Sequence, residues 1–396
     1  MTDSLLGAAH DLLPDAVRLR REIHRHPELG NNLPRTRASV LAAINDLDLT
    51  IHHSTATSGL VAVLEGREDG PTILLRGDMD ALPMPEDTGL EFASRVQGHM
   101  HACGHDAHTA MLATVARLLC ERRETLPGKV KFMFQPGEEG PGGAQPMLDE
   151  GILEIDGKPD AAFALHIYPN LPSGVIACRP GPILACADTA SIRIIGKGGH
   201  GSMPYDTLDP VPVACELVQA FQTLVTRRMR PFEPVVVTVG KLQAGTASNV
   251  IPEFADMEAT VRSFSSASRS AIHAGIRRLS EAIAAAYEMR AEVVIHSGYP
   301  ATCNDAAFVD FVRSTAEGLL GEDGYLDMPE PIMGAEDFSL VLQAYPGAFA
   351  FLGTAPPGVD PDCAPPCHSN RMMLDENAMA TGIAMHAAVA TQFLAR

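Results

Sequence analysis

The stretch "GHMHACGHDAHTA", residues 98–110, sets four histidines and one cysteine within thirteen positions. Imidazole and thiolate are ligands that zinc-like ions favour, so the crowding poses a metal site, although crowding alone supplies no coordination sphere. Three other places carry matching chemistry: Asp78 and Asp80 after "TILLRG", Glu138 and Glu139 after "KVKFMFQPG", and His166 after "DAAFAL". Adjacent glutamates suit a metal hydrolase, because one carboxylate binds the ion while its neighbour faces the water that the ion acidifies and takes its proton. Each group also has a plainer reading on its own. The aspartates would be a turn before "ALPMP", the glutamates a solvated loop pair, and His166 a satisfied core histidine. Taken together, on independent strand ends, they exceed what solubility requires.

The elements that must position these side chains follow from the apolar pattern. Helices are expected near 15–26, 34–47, 107–122, 304–320, 335–344 and 374–394, and strands at "GLVAVLEG", "TILLRG", "KVKFMF" and "AAFALH". Short apolar strands alternating with amphipathic helices predict an α/β fold with a largely parallel sheet covered on both faces. The acidic pairs and His166 then fall at the carboxyl ends of strands, the edge where open α/β sheets form their ligand crevice, and the cysteine–histidine segment leads into a helix that can converge on it. Between about 186 and 298 the order becomes strand, helix, two strands, helix, strand, the pattern of a ferredoxin-like α+β unit. The expected organisation is therefore residues 1–185 and 299–396 as one catalytic domain, with 186–298 inserted as a second.

Composition removes several function classes. The chain has 396 residues, 46% of them hydrophobic, enough for large cores, and a formal charge of −19, which opposes a general nucleic-acid surface. Arg227, Arg228 and Arg230 are accordingly read as the solvated end of a helix. The opening "MTDSLLGAAHDLLPDAV" lacks the basic start and apolar core of a signal peptide, and no stretch nears the roughly 20 apolar residues of a membrane span. A cytoplasmic location without membrane partners is the resulting expectation. Eight cysteines are scattered as free thiols would be, except in "CAPPCHS", where Cys363, Cys367 and His368 fall together and pose a small zinc clip that lacks a second pair.

In order along nearly the whole chain, "RGDMDALPM", "HMHACGHDAHTAML", "FQPGEEGPGGAQPM", "ALHIYPNLPSG", "GKGGHGSMPYDTLDP", "ASNVIPEFADMEATVRSF", "MGAEDFS" and "CHSNRMML" resemble the hippurate hydrolase and auxin-conjugate hydrolase branch of the aminoacylase/carboxypeptidase metallopeptidases. The resemblance implies an amidase with two divalent metal ions per chain, zinc first and manganese, cobalt or nickel also accepted. It implies a catalytic domain interrupted by a smaller dimerisation domain, hence a homodimer. Cys103, His105, Glu139, His166 and His368 match that branch's ligands, Glu138 its general base, and Asp80 the carboxylate that orients a ligand. The wider family has His-x-Asp where this chain has Asp78-Met79-Asp80, so Cys103 stands in for the usual first histidine, and Asp78 is left with either a metal or water as its partner. His99, His101 and His108 are expected to be loop or helix-start neighbours only.

His200, in "GGHGSMP", matches a residue that reaches the active site of the partner subunit to hold the carbonyl oxygen as negative charge develops there. Asn249 and Arg262 match positions that bind the substrate's free carboxylate, for which an arginine fork is geometrically suited; a strand-end salt bridge is the structural alternative for Arg262. "MGAEDFS" is expected to line the pocket, with Glu336 and Asp337 either functional or structural. The expected activity is hydrolysis of N-acyl amino acids, small-molecule substrates, to a carboxylic acid and a free amino acid. A dipeptidase or an N-acyl-diaminopimelate deacylase is the alternative within enzymes. A non-catalytic metal-dependent binder is the alternative outside them, opposed by the intact Glu138–Glu139 pair. Cys103 as a nucleophile with His105 as base is a further reading, which chelation separates from the metal reading.

Overall fold

The structure, a computed structural model, describes residues 2–396, with side chains from residue 5 onward. The chain divides into two compact units. One runs to Ile183 and resumes at Cys303–Glu330 and Leu340–Arg396; the other comprises Leu184–Thr302 and Pro331–Ser339. The short second piece lies within the stretch 299–396 that the sequence reading left with the catalytic domain. It joins the excursion because Ala185 N–H reaches the carbonyls of Ile332 and Gly334, at 3.1 and 2.8 Å.

The first unit is built on an eight-stranded sheet in the order Thr50–His53, Leu60–Glu65, Pro127–Gln135, Glu68–Asp78, Ala161–Tyr168, Gly347–Gly353, Ile176–Cys178 and Tyr325–Asp327. Its four central strands are mutually parallel, while Leu60–Glu65 and Ile176–Cys178 flank this set antiparallel and Tyr325–Asp327 runs parallel to Ile176–Cys178. Consecutive residues of the central strands are buried, as in Thr72–Asp78 and Val130–Gln135, so both faces are covered and the strands read as continuous apolar runs. The inner strand Gly347–Gly353, "GAFAFLG", was not among those expected; it takes its place between Ala161–Tyr168 and Ile176–Cys178 only by long-range pairing.

Helix bounds shift where tertiary burial or capping decides. The first helix is Thr2–His24 rather than 15–26. Leu5, Ala9, Ala16 and Ile23 are buried along it, and this helical stripe outweighs the hydrogen bond lost at Pro14. The helix near 304 begins at Ala306, where Asp305 caps it by accepting the Phe308 N–H at 2.8 Å. No helix among the described residues is long and apolar enough to cross a membrane.

In the second unit the strands Val235–Ala244, Phe254–Ser263, Cys186–Ile195 and Arg290–Ser297 form an antiparallel sheet in that order, which is the ferredoxin-like arrangement of a strand–helix–strand–strand–helix–strand chain. One face packs on the helices Pro210–Arg228 and Ser266–Ala286 through Ile192, Ile194, Met257, Val261, Leu217, Phe221, Ile272 and Ile276.

Candidate metal centre

Three parallel strands deliver the acidic groups and one histidine to a single sheet edge. Glu68–Asp78 ends with Asp78 opposite Gln135, the last residue of Pro127–Gln135. His166 lies inside Ala161–Tyr168, paired with Phe351, rather than after that strand. The cysteine–histidine segment enters from the helix His105–Cys120. Its preceding residue, Gly104, has φ +81°, and a Cβ there would meet Ile167 Cγ1 at 2.4 Å. Only glycine allows Cys103 and His105 to straddle so close a turn.

The contacts among these residues are specific. Cys103 Sγ lies 3.3 Å from His166 Nε2. The other His166 nitrogen, Nδ1, donates to the Ile167 carbonyl at 2.6 Å, which leaves Nε2 with its lone pair directed at the centre. Burial, together with the neighbouring His108, holds the His166 pKa well below the ordinary value, so the ring is neutral. His105 stands among Asp78, Asp80 and Glu139, its nitrogens 3.4 to 3.9 Å from their oxygens. Burial disfavours a charge on it, but Asp78, Asp80 and Glu139 outweigh burial and raise its pKa well above the ordinary value. His368 Nε2 reaches Glu139 Oε1 at 3.1 Å. Its own backbone is held at φ +68°, and its N–H donates to Ala102 O at 2.8 Å. A left-handed histidine is sterically costly, and tertiary contacts must impose it.

Asp80 has a defined task. Its Oδ1 accepts the Glu138 N–H at 2.9 Å and its Oδ2 accepts the Glu139 N–H at 3.0 Å. One carboxylate thus fixes the main chain of both glutamates. Gly137, with φ +75°, permits the turn, since a Cβ there would fall 1.9 Å from Asn31 Oδ1. Ligand-type atoms of His105, Glu138 and Glu139 lie within 4.8 Å of one another, as do those of Cys103, Glu139 and His368, and those of Cys103, His105 and His166.

These residues fit a metal pair. Both His105 nitrogens are buried without a hydrogen-bond partner, a costly state unless a cation answers them. The donors, one thiol, three imidazoles and carboxylates, suit zinc-like divalent ions.

Asp78 and His108 carry a role that the sequence reading did not assign. Asp78 Oδ2 accepts from Arg76 Nη1 at 2.5 Å, and Asp78 Oδ1 accepts from His108 Nδ1 at 2.6 Å. Asp78 thus has protein partners on both oxygens. Burial disfavours its charge, but Arg76, His105 and His108 keep its pKa well below the usual carboxylate range. His108 Nε2 in turn accepts the Ile167 N–H at 2.8 Å, so His108 ties the His105 helix to the strand that bears His166. Arg76, a charge inside the apolar run "TILLRG", was the available signal. His101 is instead buried beside His24, their ring centroids 6.2 Å apart, and does not join the groups of ligand-type atoms among the described residues.

Asp106, beside His105, accepts from Arg20 Nε at 3.0 Å and from His24 Nδ1 at 2.8 Å, while His24 Nε2 faces Glu86 at 3.2 Å. Burial lowers the His24 pKa, but Asp106 and Glu86 outweigh it and raise the value to about 9. A raised histidine stabilises the fold fully below its ordinary pKa and loses that contribution as pH climbs through the raised value. Between about pH 6 and about pH 9.5, His24→Gln is therefore expected to remove a pH-dependent contribution on the order of 3 kcal/mol. Denaturant unfolding at both pH values checks this, and equal pH dependence in the two proteins would discard the pairing.

The remaining expected residues lie in the second unit. His200 is exposed on a two-stranded ribbon, paired with Val250. Its Nδ1 accepts from the Ser202 N–H at 3.1 Å and contacts Ser202 Oγ at 2.8 Å. Asn249 precedes Val250, and its carbonyl accepts the Gly201 N–H at 2.8 Å. Arg262 is half-buried and opposite Val236 and Ala187, on the sheet face away from the helices. Glu336 and Asp337 are buried, and Glu336 Oε1 accepts the Phe338 N–H at 2.9 Å.

Comparison with known proteins bears on the whole chain. Residues 74–392 match the model of peptidase family M20/M25/M40. A thermostable carboxypeptidase of Saccharolobus solfataricus is 37% identical over 95% of both chains. An N-acetyl-L-cysteine deacetylase of Bacillus subtilis is 38% identical over 85% of this chain and 80% of its own. An IAA-amino acid hydrolase of Arabidopsis thaliana is 37% identical over 98% and 88%. Among solved structures, a protein from methicillin-resistant Staphylococcus aureus superposes with TM-score 0.93 at 31% identity, covering 100% of both chains. The YXEP protein of Bacillus subtilis, a dinuclear metal-binding peptidase of family M20, does so with TM-score 0.85 at 35% identity, covering 98% and 99%. The chain belongs to peptidase family M20/M25/M40 and is a hydrolase of amide bonds.

Proposed function

We propose that the chain hydrolyses N-acyl amino acids to a carboxylic acid and a free amino acid, with two divalent ions held by Cys103, His105, Glu139, His166 and His368. The observation that carries the reading is Asp80 gripping the amides of Glu138 and Glu139 together. That grip fixes two adjacent carboxylates for different work, one as ligand and one as base. The bound ions would lower the pKa of a water and polarise the amide carbonyl. Glu138 takes the water's proton as the water attacks the carbonyl carbon. It then passes that proton to the leaving nitrogen as the C–N bond breaks. The Nδ1–H to Ile167 bond keeps His166 in its ligand tautomer, and the Asp78–His108 link holds the helix bearing His105. Arg262 and Asn249 are assigned to the substrate's free carboxylate, and His200 to the carbonyl oxygen.

The test is a panel of N-acetyl, N-benzoyl and longer N-acyl amino acids offered to the metal-loaded protein, with free amine as the readout. Amine release from N-acyl amino acids and not from unblocked dipeptides is expected. Release from dipeptides alone would replace this reading with a dipeptidase, and release from neither would leave a metal-dependent binder.

The second unit is proposed to pair with its copy about a two-fold axis, so that His200 serves the partner's centre. Mixing His200→Ala chains with Glu138→Gln chains, each inactive, should then recover about a quarter of wild-type activity after random exchange, because half the dimers carry one native site. Exchange without recovery would confine His200 to its own chain or to no role.

A further inference from the structure

We infer that Cys103 and Cys367 form an oxidative modification site, at which a peroxide joins the two sulfurs in a disulfide. Its consequence, loss of the Cys103 thiol from the metal centre, rests on the ligand assignment proposed above; its chemistry does not. Cys367 belongs to "CAPPCHS", a cysteine motif of which only His368 has been given a role.

Several contacts bring it to Cys103. Cys367 is a direct side-chain neighbour of Cys103. Cys367 Sγ also lies 3.9 Å from the carbonyl of Ile167, the residue after His166, whose Nε2 faces Cys103 Sγ at 3.3 Å. The main chain beside both cysteines is tied as well, since His368 N–H donates to Ala102 O at 2.8 Å. Adjacent sulfurs on chain segments already fastened together are what a disulfide requires. Cys367 does not join the groups of ligand-type atoms around Glu139, His105 and His166 among the described residues. It is therefore placed to react with Cys103 rather than to share its ion.

Exposure sets the order of events. Cys103 is buried, with 7% of its surface accessible, whereas Cys367 is partly exposed, so a peroxide in solution meets Cys367 first. The Cys367 thiolate attacks the O–O bond; one oxygen stays on sulfur as a sulfenic acid and the other leaves as water. Cys103 then attacks Cys367 Sγ, and the sulfenic oxygen departs as a second water. Two thiols have lost two electrons and two protons to one peroxide. A dithiol reverses the reaction by exchange.

The experiment treats the metal-loaded protein with hydrogen peroxide, blocks remaining thiols by alkylation, and maps unreduced peptides by mass spectrometry while a chromogenic chelator follows released metal. The expected product is a peptide pair linking Cys103 to Cys367, two hydrogens lighter than the two thiols, with metal released in step and both changes reversed by dithiothreitol. Cys363→Ser should keep the link and Cys367→Ser should lose it. A Cys363–Cys367 link, or Cys103 still alkylated after Cys367 has been oxidised, overturns the inference, and the wild-type map decides this even where a variant folds poorly. The Cys103–Cys367 link forming without metal loss upholds the site and removes Cys103 from the ligand set instead.

Discussion

Glu138→Gln should lower kcat by about a thousandfold, equivalent to about 4 kcal/mol of transition-state stabilisation, while metal content and substrate affinity stay near those of the native enzyme. Glutamine keeps the size and hydrogen-bonding reach of glutamate but cannot accept the water's proton. The backbone at 138 is held by Asp80 through its amide, which the substitution leaves in place, so the loss would report the proton and not a collapsed loop. Steady-state kinetics with metal analysis on the same sample checks this. Turnover within tenfold of the native enzyme would take the role of base away from Glu138.

The double variant Cys103→Ala, His105→Ala is expected to bind less metal. Both residues are buried at the centre, and removing ligands should weaken binding by more than the roughly 10- to 100-fold that follows loss of a supporting partner. Elemental analysis should find fewer than two ions per chain and turnover at background. Full dinuclear occupancy would rule out the ligand assignment. A pH dependence accompanies it. Asp78, Asp80 and Glu139 outweigh burial and hold a proton on His105, and a binding ion must displace that proton. Metal affinity in the native protein should therefore rise with pH up to the raised pKa of His105. Chelation should abolish turnover; a hydrolase that used Cys103 as nucleophile would survive it.

Much of the centre could be read from the chain because metal and acid–base chemistry demand rare residue types, and "ACGHDAH", "PGEEG" and the aspartates after "TILLRG" sit at the ends of strands whose apolar runs mark them out. Elsewhere the pattern misled or was silent. The strand "GAFAFLG" is short and alanine-rich, without alternation, and its identity comes from the neighbours it pairs with. Pro14 marked no helix start, because burial of Leu5 and Ala9 ahead of it settled the matter. "MGAEDFS" begins its helix only at Phe338, since the Glu336 side chain accepts the Phe338 N–H.

The sequence by itself determined the kinds of donor, their order along the chain and the sheet edge at which most of them arrive. It did not determine which donors meet. Of the five metal-type side chains in residues 98–110, Cys103 and His105 face His166, Glu139 and the carboxylates, His108 bridges Asp78 to the backbone of Ile167, and His101 is buried beside His24. A spacing of two or three residues cannot separate these fates, because they depend on what each side chain finds in space. His105 finds three carboxylates and His166 a neutral, buried neighbourhood. The distance in sequence from Cys103 to Cys367 and His368 is closed only by tertiary folding, through the bond from His368 N–H to Ala102. Local pattern fixes periodicity and composition; long-range contact fixes electrostatic environment, and with it the protonation and partner of every group at this centre.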